Sequence, residues 1–207
     1  RVNIEQDRSA IPAGQHGVRG LSAENIIRLS YREAFLRYLQ LDPFQAPISD
    51  LKAAAHNLTN IVLDSNNRDD WLHLLLALGV EPELEKSGAV FIYDYPASQA
   101  ALAQTGEDAE GNAVAKRFEL YINGVELANG YLELTDVGEQ RRRFEQDLSA
   151  RQALQRTQLP MDENFLAALE AGMPACAGVA LGIDRLLMAL TDSAVIKDVL
   201  SFSYDKM

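Results

Sequence analysis

The apolar positions of this 207-residue chain change their spacing several times, and each change marks an element. Residues 1–29 follow no period; Pro12, Gly14, Gly17 and Gly20 punctuate them, which predicts a loop or a loosely packed lead-in. From Ser30 apolar side chains recur at three- and four-residue spacing (Tyr31, Phe35, Tyr38, Leu39), the helical period, until Asp42-Pro43 stops them. Ser49 is expected to cap a short helix over 50–57. Asp69 and Asp70 open a helix through Trp71, Leu74, Leu75 and Leu78, which Gly79 should end. Residues 80–87 read as a Pro- and Glu-bearing connection.

At Ala89 the texture turns to strands. Val90-Phe91-Ile92-Tyr93 predicts a buried strand ending at Pro96, and residues 104–113 an exposed polar loop. Strands are expected over 114–122 and 125–134, around Asn123-Gly124. That dipeptide is a strong hairpin signal, because both central residues of a type I′ turn need positive φ. Helices follow over 138–157 and 162–171, with Gly172-Met173-Pro174 breaking the second. A strand over 176–182, a helix over 183–190 and a further helix or strand over 195–204 complete the pattern. Helices, then an antiparallel hairpin, then helices, strand and helix predict an α+β fold with an antiparallel sheet, not βαβ winding. Three segments are expected: a lead-in over 1–29, a helical segment over 30–88, and a strand-bearing core over 89–207.

Composition narrows the function classes. Hydrophobic residues at 47% and charged residues at 24% exclude wholesale disorder. Lys and Arg total 19 against 30 Asp and Glu, a net charge of −11, which argues against broad phosphate neutralisation and so against tRNA as a partner. The single cysteine, Cys176, precludes an internal disulfide and fits a reducing, cytoplasmic setting. No apolar run approaches the ~20 residues of a membrane helix, so no membrane partner is expected. The chain starts at Arg1 rather than Met, which fits processing or a piece of something longer.

Two segments carry candidate chemistry. A two-residue turn at Asn123-Gly124 sets Tyr121 against Glu126, Leu120 against Leu127 and Glu119 against Ala128. Alternation then gives Phe118, Leu120, Ile122, Val125 and Leu127 an apolar, core-facing side. Arg117, Glu119, Tyr121 and Glu126 take the other side. Glu119 and Glu126 become diagonal neighbours, roughly 7–8 Å apart at the backbone. Such a pair repels unless a cation sits near, and Mg2+ is commonly held by one or two carboxylates plus nucleotide phosphates. Two solvated surface glutamates are the plainer reading. Asn129 and Glu133 fall on the wrong side in a regular strand; a one-residue bulge between Ala128 and Gly130 would bring them to Glu126. In the second segment, Cys176, Gly178, Ala180 and Gly182 form a small-residue strand face that lets a ligand approach the backbone. Arg185 follows in the first turn of a helix, placed to pair with phosphate or stack on a flat ring, or else to serve close packing and a structural ion pair.

Phe118 to Asp136 resembles the late catalytic segment of lysyl-tRNA synthetases, and Gly178 to Arg185 resembles motif 3 of class II aminoacyl-tRNA synthetases. The resemblance runs from about Ser30 to Tyr204 and is closest to the elongation factor P–(R)-β-lysine ligases, paralogues of lysyl-tRNA synthetase. The segment Tyr95-Pro96-Ala97-Ser98-Gln99-Ala100-Ala101-Leu102-Ala103 is similar to the signature loop of that branch. Ala180 stands where true lysyl synthetases usually carry glycine, and the chain stops soon after motif 3.

The resemblance implies a partial class II catalytic domain and an ATP-dependent ligase. The carboxylate of lysine or β-lysine would attack the α-phosphate of ATP, giving an adenylate that passes to a lysine of elongation factor P. By motif match, Glu119 and Glu126 would hold Mg2+ and ATP, with Leu127, Gly182 and Arg185 also at the nucleotide. Glu133 would bind a substrate amino group, with Asn129, Gly178 and Ala180 around it. No side chain need act as acid or base; positioning and charge stabilisation suffice. The full-length family forms homodimers. Motif 1 and the Phe-Arg-x-Glu of motif 2 are not found in the sequence, so a chain weakly active or inactive alone is expected. A fragment of a lysyl-tRNA synthetase and a non-catalytic binding paralogue are the alternatives.

Overall fold

A computed structural model describes residues 26–61 and 63–203. The expected lead-in lies outside the described residues up to 25, as does Tyr204 at the far end. The lead-in expectation fails at its end: Ile27–Ser30 form strand β1, which pairs in parallel with β2 (Ala89–Pro96). Ser30 then caps α1 (Tyr31–Leu39) with a full capping box, its Oγ accepting from the Glu33 amide at 3.1 Å while Glu33 accepts from the Ser30 amide at 2.7 Å.

The helical segment is more continuous than its sequence suggests. Helix α2 (Ile48–Leu58) starts before the expected cap; Ser49 lies inside its first turn and bonds Asp50 instead. Helix α3 (Arg68–Leu75) does not end at Gly79 but runs through a π-turn over Leu76–Val80 into α4 (Glu81–Leu84). Gly79 serves packing: a Cβ there would lie 2.5 Å from a Leu39 methyl and 2.9 Å from one of Leu58. The connection expected over 80–87 is therefore helical.

Strand β4 (Ala113–Ile122) turns at Asn123 (φ 51°) and Gly124 (φ 78°) into β5 (Val125–Leu132). The expected 104–113 loop holds a short strand, β3 (Thr105–Glu107), paired with β4. Helices α5 (Val137–Ala153) and α6 (Glu163–Glu170) are capped by Asp136 and Asp162. Strand β6 (Ala177–Leu181) leads into α7 (Ile183–Thr191), and a single 3-10 turn over Ile196–Asp198 follows.

The sheet order is β1-β2-β4-β5-β6, with β3 beside β4. All pairs but β1–β2 are antiparallel, as an α+β fold requires. The main core unites both expected segments, packing Tyr31, Phe35 and Trp71 of the helices against Val90, Ile92 and Tyr121 of the strands. Because Ile92 opposes Glu119 and Val90 opposes Tyr121, this core lies on the hairpin face that carries the carboxylates. The face expected to be the core holds only a small cluster of Ala89, Ile122 and Leu127, with Leu186 and Ala189 against it. Strand β6 forms the sheet edge, and its neighbourhood is open: Val179 is 64% exposed and Ile183 65%.

Candidate functional site

The hairpin contains a bulge, one step earlier than parity suggests. Tyr121 opposes Glu126 as expected, but Leu120 opposes Ala128 and Glu119 opposes Asn129, so Leu127 is the extra residue. From Ala128 onward the pairing with β6 is regular, which corrects the break expected between Ala128 and Gly130. The consequence for the side chains is nevertheless the expected one. Leu127 and Ala128 take consecutive places away from the carboxylates, and Asn129 returns to the face of Glu126, donating to its Oε1 at 3.2 Å.

Glu119 is buried to 6% exposure and fully engaged. Its Oε2 accepts from the hydroxyls of Tyr95 and Tyr121, each at 2.6 Å, and its Oε1 accepts from Nη2 of Arg117. Arg117 also donates to the Gln99 carbonyl at 3.0 Å and lies over the Tyr95 ring, 4.7 Å from its centre. Burial pushes the pKa values of both tyrosine hydroxyls well up. Burial works against the Arg117 charge, but Glu119 and the neighbouring tyrosines outweigh it and raise the guanidinium pKa. An ionised carboxylate offers about four lone-pair positions. Three donors leave one of them open to a further partner.

Glu126 is far more open. Its backbone carbonyl accepts from Nη1 of Arg185 at 2.7 Å, and the same nitrogen lies 3.6 Å from its Oε2. The bulged Leu127 offers its carbonyl to the Gly182 amide at 2.9 Å. The bulge thus ties the hairpin to the start of α7, where Gly182 is the N-cap. These contacts frame a cavity of about 320 Å³ lined by Glu126, Leu127, Asn129, Ala180, Gly182 and Arg185, among others. Six sequence-nominated residues therefore border one space.

The remaining nominated pair lies further along the same face. Asn129 opposes Ala180, and Tyr131 opposes Gly178. Glu133 follows β5, its amide donating to the Cys176 carbonyl at 3.0 Å. Its carboxylate hangs over Gly178. The Tyr95–Ala103 loop secures this end: Ala103 bridges Glu133, the Leu134 amide donates to the Leu102 carbonyl at 2.9 Å, and Arg143 donates to the carbonyls of Ala101 and Ala103. Asp69 of α3 holds the loop from beneath, accepting from Ser98 and Gln99 at 2.9 Å each.

Sequence reasoning missed Tyr95, Asp69 and Glu81 as parts of this arrangement. Tyr95 offered a faint signal, since it opens the loop segment; Asp69 read only as a helix-start acid, and Glu81 only as part of the 80–87 connection. Among the described residues no group of three or more His, Cys, Asp or Glu side chains gathers as a metal site. No helix among them is long and apolar enough to cross a membrane.

A family model described as tRNA synthetases class II (D, K and N) matches residues 5–206, reaching into the lead-in that resembles nothing placed from the sequence. The chain belongs to that family. It is 49% identical over 188 residues to an elongation factor P–(R)-β-lysine ligase of Edwardsiella ictaluri, covering 90% of this chain and 57% of the relative. Proteins of the same name from Proteus mirabilis (50% over 184 residues, 88% of this chain, 56% of the relative) and Pectobacterium carotovorum subsp. carotovorum (46% over 188 residues, 90% and 57%) are also similar. This class II synthetase chain spans a little over half the length of these curated relatives.

Proposed function

We propose that this class II synthetase chain contributes to the ATP-dependent activation of lysine or β-lysine as an adenylate and its transfer to a lysine of elongation factor P. The observation that carries this reading is the cavity where Glu126, Leu127, Asn129, Ala180, Gly182 and Arg185 meet. It brings the hairpin and the motif 3 segment to one space, and relatives bearing the ligase name match 88–90% of the chain.

The donor set suits Mg2+, which prefers oxygen ligands and keeps phosphates and waters among them. Glu126 would offer its exposed carboxylate, and Glu119 its one open lone-pair position, from the same sheet face. When bound, the ion would neutralise charge on the nucleotide phosphates. Arg185, braced on the Glu126 carbonyl, presents its remaining donors to the base or the terminal phosphate of ATP. Glu133 receives a substrate ammonium over the open backbone of Gly178. Ala180 bounds the pocket opposite Asn129.

The test is ATP–pyrophosphate exchange dependent on lysine or β-lysine. It is run on the 207-residue chain and on a chain extended upstream to include a Phe-Arg-x-Glu strand pair. The chain as given lacks that sequence and with it one preorganised donor, whose loss typically costs ~10²–10³ in rate. Little exchange is expected from it, and recovery from the extended chain. Exchange with neither amino acid in the extended chain would overturn the reading.

A further inference from the structure

The Tyr95–Ala103 loop is built as a strap with anchors at both ends. At its base, Oδ1 of Asp69 accepts from the Ser98 hydroxyl and from the Gln99 side-chain amide, each at 2.9 Å. Gln99 is only 8% exposed, and its backbone carbonyl accepts from Arg117 at 3.0 Å. Further along, Ala101 takes a left-handed backbone (φ 49°) that an alanine rarely adopts. Such a conformation persists where the surroundings over-determine it. Arg143 supplies that restraint by donating to the carbonyls of Ala101 and Ala103. The strap then closes on Glu133 from one side: Ala103 bridges it, and the Gln104 side-chain amide donates to its carbonyl at 3.0 Å. From the other side the Cys176 carbonyl accepts from the Glu133 amide. The place of the Glu133 carboxylate over Gly178 is therefore fixed jointly by the strap and the sheet edge.

We infer that Asp69 is a positioning residue for Glu133: by holding the base of the strap, it sets the affinity of the site for an ammonium-bearing substrate. This rests on the proposed role of Glu133 as the partner of a substrate amino group. Without Asp69 the Gln99 amide is short of an acceptor in the interior and turns toward water. The base of the strap then moves, and the shift passes along the strap to Ala103 and Glu133. Asp69 stands in the first turn of α3, so the helical segment is a working part of the amino-acid site as well as a support for the core.

The test is binding of β-lysine and of lysine to the full 207-residue chain, read from amide shifts in an NMR titration. Asp69→Ala should weaken binding about tenfold, roughly what one hydrogen bond to a charged group is worth. Asp69→Asn keeps an oxygen that accepts from both Ser98 and Gln99. It should bind within about twofold of the native chain, even though the start of α3 loses a favourable charge and the chain some stability. Added to Glu133→Ala, the Asp69→Ala change should weaken binding no further, because Asp69 acts through Glu133. Native affinity in Asp69→Ala, equal losses in Asp69→Ala and Asp69→Asn, or losses that multiply in the double variant would overturn this inference alone. Should Asp69→Ala not fold, Gln99→Ala, which removes the same bond from the strap side, replaces it under the same criteria. A native chain that binds neither amino acid, or a Glu133→Ala chain that binds as well as the native one, defeats the proposed role of Glu133 and the inference with it.

Discussion

The carboxylate of Glu133 fills the space that a Cβ on Gly178 would need, with Oε1 2.2 Å from that position. The obstacle is the free end of a flexible side chain, so Gly178→Ala should fold, with the Glu133 carboxylate pushed aside. The expected outcome is a melting temperature close to native and a marked loss of lysine or β-lysine affinity in calorimetric titration of the extended chain. Unchanged amino-acid affinity would show that Glu133 does not receive the substrate ammonium from this position.

Gly130→Ala should behave in the opposite way. A Cβ there would lie 2.4 Å from the Phe118 ring and 2.9 Å from the Gly178 carbonyl oxygen, neither of which yields easily. Overpacking of this kind costs ~1–3 kcal/mol, which urea denaturation would read directly. Phe118→Leu should recover part of the loss by vacating the ring's place.

Removing the Glu119 side chain would strand three donors in the core. Breaking a buried, hydrogen-bonded charge pair by deleting one partner costs ~3–5 kcal/mol. Glu119→Ala should therefore lose a large part of the fold's stability in denaturant titration. Glu119→Gln should lose less, because its carbonyl oxygen still accepts from Tyr95 and Tyr121. Equal stability of the two variants would show that these hydroxyl bonds contribute little.

The Glu81 carboxyl gives a pH signature. Burial raises its pKa in the folded chain above the ordinary value of 4.5, so the folded state holds the proton more tightly than the unfolded one. Its contribution to stability is fully present below about 4.5 and is lost as pH rises through the folded pKa. Asp42 acts with the opposite sign. Burial opposes its charge, but the Phe44 and Gln45 amides and the Arg32 guanidinium outweigh burial and lower its pKa. Its contribution is present above 3.8 and is lost as pH falls through the lower folded value. Glu81→Gln should flatten the decline of denaturation midpoint above pH 4.5 and leave the acid limb unchanged.

Local patterns made most of the elements legible. The Asn123-Gly124 turn, the helical period from Tyr31 and the short helix expected from Asp162 all appear within a residue of where spacing puts them, because each depends on neighbours a few residues away. The inside and outside of the hairpin were not legible. Alternation separates the two faces but does not say which one meets the helices, and β2 is apolar on both sides. The larger core therefore lies beneath Arg117, Glu119 and Tyr121, polar groups that bury one another's hydrogen bonds. Parity called for a bulge, but not for Leu127, whose carbonyl is claimed by Gly182, a partner 55 residues away in the chain. Gly79 misled for the same reason: its function is a distant contact with Leu39 and Leu58 rather than a local stop.

The two walls of the cavity rest on foundations of unequal depth. Glu126 and Asn129 stand on β5, paired with β4, whose Tyr121 is set in the large core, while Gly182 and Arg185 stand at the start of α7, held by Leu127 and a small cluster at the sheet edge. Amide protons of β6 and α7 should therefore exchange with solvent through local openings that leave β2 and β4 closed. Each such opening separates Arg185 from Glu126 without unfolding the molecule. The site is a hinged assembly, whose closed fraction a nucleotide bridging both walls would raise by mass action.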